Sequence, residues 1–194
     1  MTDVAFSLEN KLLIATPAMG DPRFQRSVIL VCAHDEKGAM GIVVNRAKQT
    51  GLMLSDLLEQ VGVEGKPRVA DTPVLAGGPV DIDRGFVLHS ADYKREDSTL
   101  AISDTLALTS THDVLKALVT DEAPERAVLA IGYAGWGAGQ LEAEMADSAW
   151  IVCEPDDQAN LDSLVFGEEL GSKWSGALSE LGIDPAMLGR GGSA

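Results

Sequence analysis

Between Ser27 and Val44 the chain carries two apolar, β-branched runs, Ser27–Ala33 and Ala39–Val44, separated only by His34-Asp35-Glu36-Lys37-Gly38. A loop that short, ending in glycine, turns the second run back antiparallel on the first. A hairpin with one wet face would alternate apolar and polar side chains. These runs are apolar almost throughout, so both faces of the hairpin are expected to be covered. That requirement already calls for a sheet with material packed on each side.

The rest of the chain supplies it in mixed order. Leu12–Ala15 reads as a strand stopped by Pro17 and Gly20, after a polar lead-in open to a short helix, and Asp21–Arg26 reads as a turn. Leu54, Leu57, Leu58 and Val61 fall at i, i+3, i+4 and i+7, which predicts a helix over 54–61 closed by Gly62. Short strands follow at Val74–Ala76, Gly85–His89 and Thr99–Ile102. A helix is expected from about Thr109 through Val119, with Ser110 and Asp113 in a capping arrangement. Then come a strand at Ala127–Tyr133, a glycine-rich stretch, a short helix from about Gln140, and a strand at Trp150–Cys153. Helical spacing marks Asn160–Phe166 and Trp174–Leu181, and Gly189–Ala194 reads as a fraying tail. Strands that lead without a repeating βαβ order predict an α+β fold around one largely antiparallel sheet. At 194 residues with no linker, the chain reads as a single domain over 1–194, with an ordered core over about 8–183.

Charge narrows the function. The net charge is −15, and it is uneven: residues 1–97 carry 11 Lys and Arg against 14 Asp and Glu, whereas residues 98–194 carry 4 against 16. Such a field opposes direct contact with nucleic acid or an anionic membrane. A nucleic-acid face, if present, has to come from the first half, from Arg23, Arg26, Arg46, Lys48, Lys66 and Arg68. The N-terminal apolar run follows acids rather than a basic segment, and no run approaches the ~20 residues of a membrane span, so a cytoplasmic protein is expected. Cys32 and Cys153 lie in apolar runs and read as packed thiols, with no disulfide framework.

Four glycines lie within Gly132-Tyr133-Ala134-Gly135-Trp136-Gly137-Ala138-Gly139-Gln140-Leu141-Glu142, set around a Tyr and a Trp. The spacing is not that of a dinucleotide fingerprint or a P-loop, and Glu142, Glu144 and Asp147 would repel a phosphate. Two readings stand: a structural turn displaying an exposed aromatic, or a contact surface for a ligand or peptide. Those acids read as a solvated face. Asn45 and Arg46 emerge from a buried strand, where an amide and a guanidinium can hold a carboxylate or phosphate, or where the arginine closes a strand-end salt bridge. His34 and His112 read as surface residues. His89, ending an apolar strand before Ser90 and Asp92, is the acid–base candidate. No metal-ligand spacing and no cofactor motif is evident.

Several stretches together resemble the bacterial YqgE/AlgH family: Leu13-Ile14-Ala15-Thr16-Pro17-Ala18-Met19, Asp21-Pro22-Arg23-Phe24, Gly41-Ile42-Val43-Val44-Asn45-Arg46, Gly77-Gly78-Pro79-Val80, Val87-Leu88-His89, and the glycine stretch. The resemblance spans about residues 8–183. Ala138 stands where the family usually has proline, Ser148 where asparagine often precedes the closing tryptophan, and the tail only approximates the usual ending. The resemblance implies a mixed, largely antiparallel, bifurcated sheet curled into a pseudo-barrel with helices packed outside. Its name implies a regulator of alginate synthesis genes, without an established DNA-binding motif or activity. Two functions are therefore expected. One is a non-enzymatic cytosolic protein that binds an unknown protein or small molecule through Tyr133, Trp136, Gln140 and Glu142, with Gly77 and Gly78 as further candidates, and so regulates indirectly. The other is an enzyme or binding protein for a small anionic metabolite or nucleotide, with Asn45 and Arg46 on the anion and His89 as acid–base.

Overall fold

A computed structural model of the chain describes residues 6–110 and 112–188. The expected tail at 189–194, part of the lead-in, and Thr111 within the expected helix start lie outside the described residues.

The hairpin forms as the apolar runs require. Strand β2 (Val28–Asp35) pairs antiparallel with β3 (Gly38–Val43), with a register shift between Val31 and Ala33. The strands extend further into the connecting loop than the apolar runs do, leaving Glu36 and Lys37 as the turn, whose Lys37 N–H donates to the Asp35 carboxylate. Val28, Leu30 and Cys32 point into one apolar cluster, while Ile29 and Val31 point into another. Two-sided burial is the reason the runs do not alternate.

On one side of the hairpin, β1 (Leu12–Ala15) pairs antiparallel with β2 and with β9 (Trp150–Cys153). On the other side β3 meets β8 (Ala127–Gly137). Strand β8 is the fork. Its second half pairs with β3, while its first half pairs antiparallel with β5 (Val80–Ser90) and parallel with β4 (Leu75–Ala76). Beyond β5 lie β7 (Leu106–Thr109) and β6 (Thr99–Ala101), giving the order β6-β7-β5-β8-β3-β2-β1-β9. The fold is thus α+β, with a bifurcated, largely antiparallel sheet that curls into a half-barrel.

Helices cover the sheet. Helices α4 (Gln158–Phe166) and α5 (Lys173–Glu180) pack on the face that carries Leu12, Ile14, Leu30 and Leu88. Helix α3 (Gln140–Ala146) lies with Leu13, Ile29 and Val31 on the opposite face. Helices α1 (Leu54–Gln60) and α2 (His112–Ala117) close over Val87 and Leu129. A last turn of helix, α6 (Pro185–Leu188), follows.

Three elements depart from the sequence reading. The strand expected to end at Tyr133 runs on to Gly137, because the glycine stretch pairs with β3 and alternates, Ala134 and Trp136 inward, Gly135 and Gly137 outward. The strand expected from Gly85 begins at Val80; its exposed 81–84 segment bulges outward between paired residues Val80 and Gly85. Strand β7 was not anticipated, since its four residues run straight into the expected helix start.

Candidate functional site

The glycine stretch locks a strand to a helix. Trp136 is only 6 % exposed, so the expectation of a displayed indole is corrected: on an alternating strand it points the same way as fully buried Ala134. Its ring meets Trp150 edge-on at 6.1 Å. Both indole N–H groups donate to one carboxylate oxygen of Glu144, at 2.9 and 2.8 Å. Gln140 accepts from the Gly137 N–H at 3.0 Å and donates to the other Glu144 oxygen at 3.0 Å. Glu142 lies 2.7 Å from His34 Nε2. The Leu8 N–H donates to His34 Nδ1 at 3.0 Å, so the ring proton sits on Nε2 and is given to Glu142. The Glu142 carboxyl is held below its usual range by a backbone N–H and then by this imidazole. His34 is therefore buried rather than a surface residue, and of the acids read as a solvated face Glu144 and Glu142 fasten the helix to the sheet while Asp147 is exposed. Tyr133 is half-buried, edge-on to Phe86 at 5.6 Å.

Gly77 and Gly78 serve a backbone crossing. Gly77 receives the Val43 N–H on its carbonyl and gives its own N–H to Ile131, at 2.9 and 2.8 Å. A Cβ on Gly77 would come within 2.2 Å of the Gly132 carbonyl oxygen, and one on Gly78 within 2.0 Å of the Tyr133 carbonyl carbon. That space is filled by protein backbone, which corrects the reading of these glycines as a ligand contact.

His89 is fully buried. Its Nδ1–H donates to the Ser90 carbonyl at 2.8 Å, and Nε2 accepts from the Thr109 hydroxyl at 2.8 Å, which in turn meets Thr99 at 2.8 Å. Burial lowers its pKa and keeps the ring neutral. With both nitrogens engaged and no exposed edge, it cannot reach a substrate, and the acid–base assignment is corrected. The thiols are equally withdrawn: burial raises the pKa of Cys32 to about 12 and that of Cys153 to about 11. Among the described residues no group of three His, Cys, Asp or Glu side chains is placed to hold a metal ion.

Asn45 and Arg46 fasten the loop before β2. Asn45 accepts from the Val28 N–H at 2.9 Å and donates to the Arg26 carbonyl at 2.8 Å. The Arg46 guanidinium donates to the Arg23 carbonyl, to the Gln25 carbonyl at 2.9 Å and to the Ser27 hydroxyl at 3.3 Å. Among the described residues it meets no carboxylate, so the strand-end salt bridge is replaced by two backbone carbonyls and a hydroxyl. The loop so held places Arg26 in the left-handed region, φ 54°, with its guanidinium carbon 4.9 Å from the centre of the Trp174 ring. Trp174 is itself fixed by an indole N–H to the Ala15 carbonyl at 3.0 Å.

Around these groups lies a cleft of about 530 Å³, walled by Pro17, Met19, Pro22 and Pro185, with Arg26 and Arg46 as its cations. Arg46 lines it and Asn45 lines an adjoining hollow that shares Arg26, Arg46 and Trp174, whereas His89 and the glycine stretch reach neither. Next in sequence to Trp174, Lys173 is buried, its Nζ donating to the Val44 and Val165 carbonyls at 2.9 and 3.1 Å, and burial lowers its pKa to about 7. From the sequence, Arg26 belongs to a turn and to a candidate nucleic-acid face, Trp174 only to a stretch of helical spacing, and Lys173 has no role. The pairing of Arg26 with Trp174 depends on a positive φ at a non-glycine residue, which composition and spacing do not reveal.

The AlgH-like family model matches residues 12–186. A UPF0301 protein of Bradyrhizobium diazoefficiens is 46 % identical over 188 residues, covering 93 % of this chain and 85 % of that protein. A UPF0301 protein of Paracoccus denitrificans is 45 % identical over 188 residues, covering 96 % of each. Among solved structures, the AlgH protein of Pseudomonas aeruginosa is similar at a TM-score of 0.74 and 36 % identity, over 100 % of this chain and 99 % of that one. A protein of Corynebacterium diphtheriae, at a TM-score of 0.53 and 24 % identity over 74 % of this chain and 73 % of that one, shares the fold.

Proposed function

The chain belongs to the AlgH-like family, and we propose that it acts by binding: a non-enzymatic cytosolic protein whose ligand or partner occupies the cleft between the 21–27 loop and the C-terminal helices, and which influences gene expression indirectly. One observation carries this reading. The cleft gathers apolar walls and two guanidinium groups with no carboxylate partner among the described residues, whereas the acid–base candidate His89 is sealed in the core. A cavity with a few convergent polar groups and no reactive side chain suits recognition rather than turnover.

The reading as an enzyme for a small anion needed Asn45, Arg46 and His89 in one place, and they do not share a cleft. What survives of it is the anion. Direct operator binding has less support, since the net charge is −15 and two of its basic residues, Arg23 and Arg68, are paired with Asp21 and Asp121.

A thermal-shift screen with nucleotides, sugar phosphates and carboxylates tests the proposal. A ligand of the native state present at about 100 times its Kd adds roughly 2.7 kcal/mol, which is a rise of about 5–10 °C for a chain of this size. The proposal expects at least one such shift, or a captured partner protein, that is lost when Arg26 and Trp174 are replaced. Turnover of a shifting compound would overturn the non-enzymatic reading. The absence of any cleft-dependent ligand or partner would overturn binding at this place.

A further inference from the structure

Resting on that reading, we propose that the ligand of the cleft is a small organic anion bearing a flat ring, with the ring on the face of Trp174 that Arg26 covers and the phosphate or carboxylate held by Arg26 beside Arg46. The first support is the charge of the walls. The chain has 30 acidic residues, yet among the described residues none lines the cleft or the adjoining hollow that shares Arg26, Arg46 and Trp174 with it. A positive pocket in so acidic a protein concentrates anions and leaves cations outside.

The second support is the way Arg26 is held. Asn45 binds its carbonyl and Arg46 binds the carbonyls before it, so the loop keeps Arg26 at φ 54° although a non-glycine residue resists that conformation. Backbone strain kept by surrounding bonds is a mark of a functional position. The guanidinium at the end of this strained residue rests on an indole face and, among the described residues, on no carboxylate. A contact of that kind on an exposed side chain is weak, whereas a charge-assisted pair with a phosphate or carboxylate is about twice as strong as a neutral hydrogen bond. An arriving anion therefore draws Arg26 off the ring, and the uncovered indole is then a stacking surface.

Arg46 takes a different part. Its terminal nitrogens are fastened to three protein oxygens, so it supplies fixed charge while Arg26 moves. At about 530 Å³ the cleft has the size of sites that take ligands between an aryl acid and a nucleotide.

Isothermal titration of the full chain with phenyl phosphate, AMP, adenosine and inorganic phosphate tests this, together with Arg26→Gln, Trp174→Phe and Trp174→Leu. Phenyl phosphate or AMP is expected to bind at least tenfold more tightly than inorganic phosphate or adenosine. Arg26→Gln should weaken that binding about tenfold while its melting temperature stays at the wild-type value. Trp174→Phe should keep the preference for a ring, and Trp174→Leu should lose it. Ligand-dependent quenching of tryptophan fluorescence should vanish in Trp174→Phe, because the other two indoles are held on Glu144. Inorganic phosphate binding as well as phenyl phosphate, or Arg26→Gln binding like the wild type, would overturn the proposal. If no probe binds but a partner protein is captured in a way that needs Arg26, the ligand class fails while the binding function stands. If phenyl phosphate or AMP is bound with the expected preference and then converted, the ligand class stands and the non-enzymatic function fails.

Discussion

Lys173 places its amine between the end of β3 and the end of α4, on two backbone carbonyls and, among the described residues, no carboxylate. The two carbonyls need a donor, which the amine supplies whether or not it carries the extra proton. Burial acts against the charge, and the folded group releases its proton near 7, whereas the unfolded side chain keeps it to about 10.4. Between those values the unfolded state binds the additional proton, so stability climbs as pH rises through that window; below about 7 the penalty is fully in force. The increment is on the order of a few kcal/mol. Urea unfolding of wild type and Lys173→Met at pH 7 and pH 9.5 measures it, and the wild type should gain on the variant toward alkaline pH. An unchanged gap would show that burial does not lower the pKa of this amine in the folded protein. Nothing in the sequence marked this residue. A lone lysine at a helix start looks like solvated charge, and only the tertiary approach of Val44 and Val165 makes it buried.

At the scale of elements, α3 is tied to the sheet through its carboxylates. Glu144 receives two buried indole donors, and Glu142, itself exposed, receives the proton of buried His34. Removing the first acceptor strands two N–H groups in the interior, whereas water can replace the second. Glu144→Ala should therefore cost about 2–4 kcal/mol in urea unfolding and change the tryptophan emission, while Glu142→Ala should cost under about 1 kcal/mol. Equal costs would show that the indoles are not held in this way. The hairpin was legible because its apolar runs exceed what one buried face requires, and the helix over 54–61 because its leucines keep strict spacing. The continuation of β8 was harder. The alternation of Ala134 and Trp136 with glycines is a strand pattern, but glycine carries no side chain to show which face is wet, and its usual meaning is a turn. The partner of the tryptophans, an acid on the following helix, is of a type more often left in solvent, so the burial of Trp136 was misread. Arg46 and Asn45 were legible as polar groups at a strand end, but their acceptors, the carbonyls of a loop some twenty residues earlier, were not.

The whole molecule turns on one crossing, where 77–80 passes over β8 and the sheet divides into the branch with β3 and the branch with β5. Gly77 bridges the branches, taking the Val43 N–H and giving its own to Ile131. Contact there is backbone on backbone: a Cβ on Gly78 would lie 2.0 Å from the Tyr133 carbonyl carbon, and Gly78 sits at φ +153°. Neither crossing strand can retreat, because each is hydrogen-bonded to further strands. Gly78→Ala should therefore cost more than about 3 kcal/mol, beyond the ~1 kcal/mol of an unfavourable backbone angle alone, and it should loosen both branches together. Gly139→Ala is the control. That residue also has positive φ, +71°, but open space around its Cβ position, so its cost should stay near 1 kcal/mol. Amide exchange separates local from global failure: in Gly78→Ala, protection should fall in β3 and in β5 alike, because the crossing sets the spacing of both. Protection lost from β5 alone, with β3 intact, would mean that the two branches fold independently of the crossing and that the fork is a consequence of the sheet rather than its cause.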